Sequence, residues 1–385
     1  MNQEPKTGFI VEAAWLRAIA CLNVVLIHIT ANPLFYAPPG SIIQLEYLVV
    51  NQFTRFAVPS FVFLTGFTLA WKHICQRTPF EFAKFLKRRF LIVFIPYTFW
   101  SFFYFFYIRL LSGQLTDPTT INWGKLGSRF IHELLVGDAC YHMYFIILIL
   151  QFYLLAPLFL LAAQRLYHFA SWLAAGVTYQ LAASIINYYY ISATGIPFWD
   201  LVIGRLDRNC LMWVGYFVIG IAVGGRWDSI REWVKKFGSY FSIPWLLLWV
   251  ALILDFYYYI GQGRYFSGVV TSSKPLVMLY CLAFLPLISR LGSRLSYTSL
   301  NRMVLDLSDH SYGIFLAHPL VISLLQNHWP WSKYQFSLGA SLLLFVLSIT
   351  IPWGTISLYR NLWLRYQRLS AQREAARARS LQNSG

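Results

Sequence analysis

The chain has 385 residues, of which 58% are hydrophobic, 19% aromatic and only 12% charged, and its mean hydropathy is +0.53. A soluble domain carries about twice that charged fraction, so a water-soluble globular protein is excluded. The net charge of +16 sits in short loops and the tail, where topology and anionic headgroups account for it, and no nucleic-acid partner is implied.

The apolar residues form runs near the roughly 20 residues that a helix needs to cross a bilayer. They lie at 13–33, 46–71, 90–111, 141–163, 169–191, 209–225, 241–260, 274–289, 311–329 and 336–358. The runs lack period-2 alternation, which argues against a barrel, and a helix satisfies its own backbone polar groups. The predicted fold is therefore all-α: a polytopic integral membrane protein with about ten transmembrane helices. One transmembrane domain over 13–358 lies between a short N-terminal segment, 1–12, and a basic tail, 359–385. The opening MNQEPKTGFIVEAAW has no basic n-region or cleavage site, so the first run is expected to be retained as a helix. Both termini are expected in the cytoplasm. That orientation puts 21 Lys and Arg inside, against six outside: Lys125, Arg129, Arg205, Arg208, Arg264 and Lys333. In the longest outer segment, 112–140, the amphipathic stretch 123–136 predicts a short helix on the outer surface. The tail reads as an amphipathic, partly disordered surface segment. The cysteines Cys21, Cys75, Cys140, Cys210 and Cys281 are scattered and form no CxxC pair, so neither a disulfide framework nor a metal site is expected.

Within the first helix, Arg17 and His28 are eleven residues apart. At about 100° per residue they share a face, and the rise between them is roughly 16 Å, about half the hydrocarbon thickness. Ionisable residues at such depth usually face a cavity or a partner. A packed histidine and a snorkelling arginine would satisfy the same pattern. His28 suits a general base, because its unperturbed pKa lies near neutrality. An acidic residue to orient it is sought among Glu46, Asp200 and Asp207. His318 precedes Pro319 in the ninth run, where a kink would free a carbonyl and aim the ring inward. His142 and Tyr144 open the fourth run. They would stack on a sugar or belong to the interfacial aromatic belt. Arg205 and Arg208, with Asp207, stand at the outer mouth and would contact an acidic or hydroxyl-rich ligand.

Several segments in chain order resemble the membrane-bound acyltransferase 3 family. They are the Arg-x10-His pattern, VPSFVFLTGF (similar to the family's FF-x-SGF, with Thr65 for Ser), and FAKFLKRRFLIVFIPYTFW. YHMYFIILILQFYLLAP and SDHSYGIFLAHPLV, close to S-x-x-IYL-x-HP, complete the set. The resemblance spans about residues 10–355 and looks nearest to the branch of polysaccharide-adhesin export and succinylation proteins. The chain departs from the RxxR arrangement: Arg88 and Arg89 are followed by Phe90, Leu91 and Ile92. The resemblance implies transfer of an acyl group, most often acetyl and in some members succinyl, from cytoplasmic acyl-CoA to a hydroxyl of an extracytoplasmic glycan or glycolipid. His28 and Arg17 would then be catalytic. Lys84, Lys87, Arg88 and Arg89 would bind the phosphates of acyl-CoA, since guanidinium groups suit phosphate bidentately. His318, Tyr144, His142, Arg205 and Arg208 would hold substrate. The setting would be a bacterial cytoplasmic membrane, with membrane lipid and polysaccharide synthesis machinery as partners. The rival class is an exporter of a poly-N-acetylglucosamine-type polymer, for which a long lane of polar and aromatic residues would be expected.

Overall fold

The computed structural model describes residues 10–191, apart from 118 and 120, together with 208–328 and 336–382. All ten expected apolar segments are helical there, and the described residues contain no strand. We number the helices α1 (Val11–Tyr36), α2 (Ile42–Cys75), α3 (Phe82–Leu111), α4 (Trp123–Val136), α5 (Tyr144–Leu166) and α6 (Phe169–Tyr189). They continue as α7 (Cys210–Gly225), α8 (Trp227–Gly261), α9 (Pro275–Leu295), α10 (Ser299–His328) and α11 (Leu338–Gln382). Eight of these are long and apolar enough to cross a membrane. Of the other expected spans, α7 is shorter, and α10 is diluted by the polar stretch Ser-Asp-His-Ser.

Three expectations about extent need correction. Segment 72–89 is helical from Phe82, because Phe-Ala-Lys-Phe-Leu-Lys-Arg-Arg contains no breaker and has an apolar side. Lys84, Lys87, Arg88 and Arg89 thus sit on the first turns of α3 rather than on a loop. The segment before 241 is also helical: amphipathic Trp227–Phe237 runs through a 3-10 turn into the apolar part of α8. The tail is helical rather than partly disordered, and continues α11 to Gln382. The short helix expected at 123–136 is α4, capped by the Asn122 side chain on the Lys125 amide and ended by Gly137 in the left-handed region. It packs on α3, where Arg109, buried, donates to Glu133 at 2.6 Å.

α7 lies at the centre. Its sequence is apolar on all sides, and it is buried between α2 and α6. Small residues allow the close approach: a methyl group on Gly66 would collide with the Phe217 carbonyl, and one on Gly220 with the Phe63 carbonyl. α1 is enclosed by α2, α9, α10 and α11. One end of α1 is fixed by Glu12, which accepts from Arg231 Nε and Ser293 Oγ, both at 2.6 Å. This packing holds Arg17 and His28 against α2, α3, α5 and α10.

Candidate active site

Prolines shape the helices that face α1. A proline offers no N–H to the carbonyl four residues earlier, so the ladder must rearrange locally. Before Pro59, α2 tightens to a 3-10 turn at Thr54–Phe56. Before Pro96, α3 widens to a π turn at Phe90–Phe94, and Tyr312 Oη donates to the Val93 carbonyl at 2.7 Å. At Pro319 of α10, Tyr104 enters from α3. Its hydroxyl donates to the Leu316 carbonyl at 2.7 Å and accepts from the Leu320 amide at 3.2 Å. This hydroxyl is thus spliced into the helical hydrogen bond from Leu320 to Leu316, which spans His318.

At the Arg17 end of α1 lies a cavity of about 630 Å³. Arg17, Lys72, His73, Lys84, Arg88 and Arg89 contribute its basic wall. Arg17, Arg88 and Arg89 also line a second cavity of about 490 Å³, where Thr65, Tyr153, Asp309 and Tyr312 add polar groups. The Arg89 guanidinium lies 4.7 Å from the Tyr153 ring centroid.

A third cavity, of about 220 Å³, occupies the His28 end. His28, Arg55, His142, Tyr144, Trp213, Thr271 and Ser272 face it. Phe61, Phe145 and Phe315 belong to both the second and third cavities and form the wall between them. The three histidines converge: the His318 centroid is 5.5 Å from His28 and 5.3 Å from His142. His318 Nδ1 is bonded to the Ile314 carbonyl at 3.1 Å, which leaves its buried Nε2 without a partner. The ring of buried His142 lies beside the Leu316 backbone without forming a well-made hydrogen bond. Unsatisfied buried polar atoms are costly and uncommon, and here His318 Nε2 is one of them, beside the His28 cavity.

The residues singled out from sequence divide clearly. Arg17, Lys84, Arg88 and Arg89 are brought together around the first cavity, whereas Lys87 does not line it. His28, His142 and Tyr144 share the third cavity, with His318 stacked behind. The belt placement of His142 is therefore corrected: it is 2% exposed, because its ring packs against Phe315 and His318 of α10. Arg208 is held by Asp138 and lies over Tyr144, outside the cavity lining. Arg205, Asp200 and Asp207 fall outside the described residues. Glu46 does not line the His28 cavity; the rings beside His28 are Tyr141 and His318. Sequence reasoning missed Arg55, the buried Lys274–Asp255 pair at 2.6 Å, and the hydroxyls of Thr271 and Ser272. Arg55 and Lys274 carried a usable signal, being ionisable residues inside or at the end of apolar runs.

Comparison with known proteins agrees with this architecture. The family described as an acyltransferase domain matches residues 11–358, nearly the whole chain. The chain is 24% identical over 356 residues to the probable poly-beta-1,6-N-acetyl-D-glucosamine export protein of Staphylococcus aureus (strain MSSA476), covering 90% of this chain and 92% of that protein. It is 22% identical over 326 residues to the putative membrane-bound acyltransferase YfiQ of Bacillus subtilis (strain 168), covering 80% and 79%. The Staphylococcus epidermidis protein named as a probable poly-beta-1,6-N-acetyl-D-glucosamine export protein is 23% identical over 322 residues, covering 82% and 81%. No solved structure matches the chain significantly. A multi-helix membrane fold, the Arg17 and His28 face lining cavities at both its ends, and a family match from end to end lead to one conclusion: the chain belongs to the acyltransferase 3 family and is a membrane acyltransferase.

Proposed function

We propose that the protein transfers an acyl group, acetyl in the first instance, from acyl-CoA to a hydroxyl of a glycan or glycolipid across a bacterial cytoplasmic membrane. The observation that carries this reading is the line of three cavities along α1, from a basic wall to a histidine cluster, with neighbouring cavities sharing lining residues. Acyl-CoA is an anion with a thin acyl-bearing arm. Its phosphates match Arg17, Lys84, Arg88 and Arg89, each charge-assisted hydrogen bond contributing about 1.5–3 kcal/mol. The arm then follows the Arg17–His28 face, where Thr65, Tyr153 and Tyr312 offer hydroxyls to its amides. At the far end His28 takes the proton of the acceptor hydroxyl as that oxygen attacks the thioester carbonyl. Thr271, Ser272, Tyr144 and Trp213 provide hydroxyls and rings of the kind that hold a sugar.

The names of the staphylococcal relatives favour a second reading, export of a poly-N-acetylglucosamine-type polymer. A polymer needs a wide polar lane, whereas three phenylalanines close the join between the second and third cavities. This supports transfer over transport. The deciding experiment reconstitutes the protein in liposomes with labelled acetyl-CoA on one side and a glycan and glycolipid extract of bacterial envelopes on the other. Release of CoA with label on the extract is expected. Passage of β-1,6-linked N-acetylglucosamine oligosaccharide without acyl transfer would overturn the proposal in favour of export.

A further inference from the structure

The His28 cavity holds a charged group that the roles above leave unused. Arg55 stands on the 3-10 turn of α2, is 8% exposed, and lines the cavity. An arginine keeps its charge when buried, and a buried charge is normally paired. Arg109 and Lys274 follow that rule, each holding a carboxylate at 2.6 Å. Arg55 does not: among the described residues it forms no ion pair, and its Nε has no hydrogen-bond partner. Among the described residues its hydrogen bond runs from Nη2 to the neutral Oδ1 of Asn51. Asn51 in turn donates to Thr30 Oγ1 at 2.9 Å, two residues beyond His28 on α1. The guanidinium is therefore fixed relative to His28 through Asn51, while no carboxylate among the described residues answers its charge. Such a group is prepared for a negative charge that arises in the cavity.

We propose that Arg55 stabilises the oxyanion of the transfer reaction, an assignment that rests on acyl transfer from a thioester. In that step the acceptor oxygen bonds to the carbonyl carbon, its proton passes to His28, and the carbonyl electron pair moves onto oxygen, which Arg55 binds. Collapse restores the carbonyl and breaks the C–S bond. The departing CoA sulfur takes the proton back from His28, leaving an ester and free CoA thiol. A fixed donor aimed at developing charge accelerates the step without tightening donor binding.

The liposome assay of labelled acetyl-CoA with envelope extract tests this with Arg55→Gln. Loss of one oxyanion donor lowers turnover by about 10²–10³-fold. That loss is expected with the KM for acetyl-CoA held within about threefold, and with no fall in thermal stability, because an unpaired buried charge is removed. Acetyl-CoA and succinyl-CoA should suffer alike. A loss confined to succinyl-CoA would overturn the proposal and make Arg55 the seat of a substrate carboxylate. Wild-type turnover in the variant, or a loss traced wholly to lower stability, would overturn it while leaving acyl transfer intact. A wild-type protein that transfers no label would overturn both. Should Arg55→Gln not fold, Arg55→Lys replaces it: the point charge remains but the fork is lost, and wild-type turnover there would equally count against the assignment.

Discussion

At the scale of single residues, the chemistry rests on a few polar atoms in an apolar setting. His28 is half-buried and has ring neighbours, and the described residues that line its cavity include no carboxylate. We expect His28→Ala to lower acyl transfer by about 10²–10⁴-fold, the range for a lost general base, while the protein still inserts and folds. Full activity with a normal size-exclusion profile would remove His28 from the mechanism. Arg88→Ala with Arg89→Ala should raise the KM for acyl-CoA several-fold and leave turnover of bound donor close to wild type. Arg88 is exposed, so part of that effect should fade at high salt. An unchanged KM at both salt levels would reduce the cluster to a topology signal, with an orientation assay as the control. His28 and Arg17 were legible in the sequence because an ionisable residue in an apolar run stands out. Arg55 passed unnoticed amid Asn51, Gln52 and Thr54, whose polarity reads as a loose helix start. Its significance comes from the Asn51–Thr30 link between two helices, which no local pattern encodes.

At the scale of elements, α10 shows how a proline break is put to use. The Tyr104 hydroxyl both donates to Leu316 and accepts from Leu320, so it completes a ladder that Pro319 disturbs next to His318. Tyr104→Phe would leave a buried carbonyl and amide without partners, at about 1–3 kcal/mol for each unsatisfied group. We expect a measurable fall in thermal stability together with reduced transfer, since the His318 ring loses its fixed backbone. Equal stability and activity in Tyr104→Phe would mean that α10 recloses on its own. The kink was foreseeable from His-Pro, but the hydroxyl that fills it lies 216 residues away, beyond any helical pattern. Helix existence was legible throughout, because long apolar runs dictate it. Helix ends were not: amphipathic flanks such as Phe82–Arg89 and Trp227–Phe237 extend helices past their apolar cores.

At the scale of the whole molecule, the cavities are distributed along the length of α1, with basic groups at one end and histidines at the other. That polarity, with the excess of basic residues on the Arg17 side, is the ground for the proposed use of a cytoplasmic donor and of an acceptor on the opposite face. Sealed vesicles of known orientation test it: acyl-CoA should act only from the Arg17 side, and acylated product should appear only on the other. Donor and acceptor both used from one face would contradict a reaction spanning the bilayer. The sequence made this axis visible through charge counting and the eleven-residue spacing. It could not reveal that two walls of the route come from α5 and α10, since Phe145 and Phe315 are ordinary apolar residues until packing brings their rings within 5.7 Å.

Those rings have a consequence for the cell rather than for the reaction. A membrane protein hollowed from both ends is a hazard to the ion gradients that the membrane maintains. Water in two chambers, if continuous, would conduct protons, and histidines beside the join would help them across. On the proposed route, Phe61, Phe145 and Phe315, which line both chambers, would act as electrical insulation, letting a slender neutral acyl arm slip between them while denying passage to a hydrated ion. Replacing Phe145 and Phe315 by alanine should therefore make vesicles carrying the protein lose an imposed pH difference faster than vesicles with the wild type. An equal rate of decay would show that the seal lies elsewhere along α1.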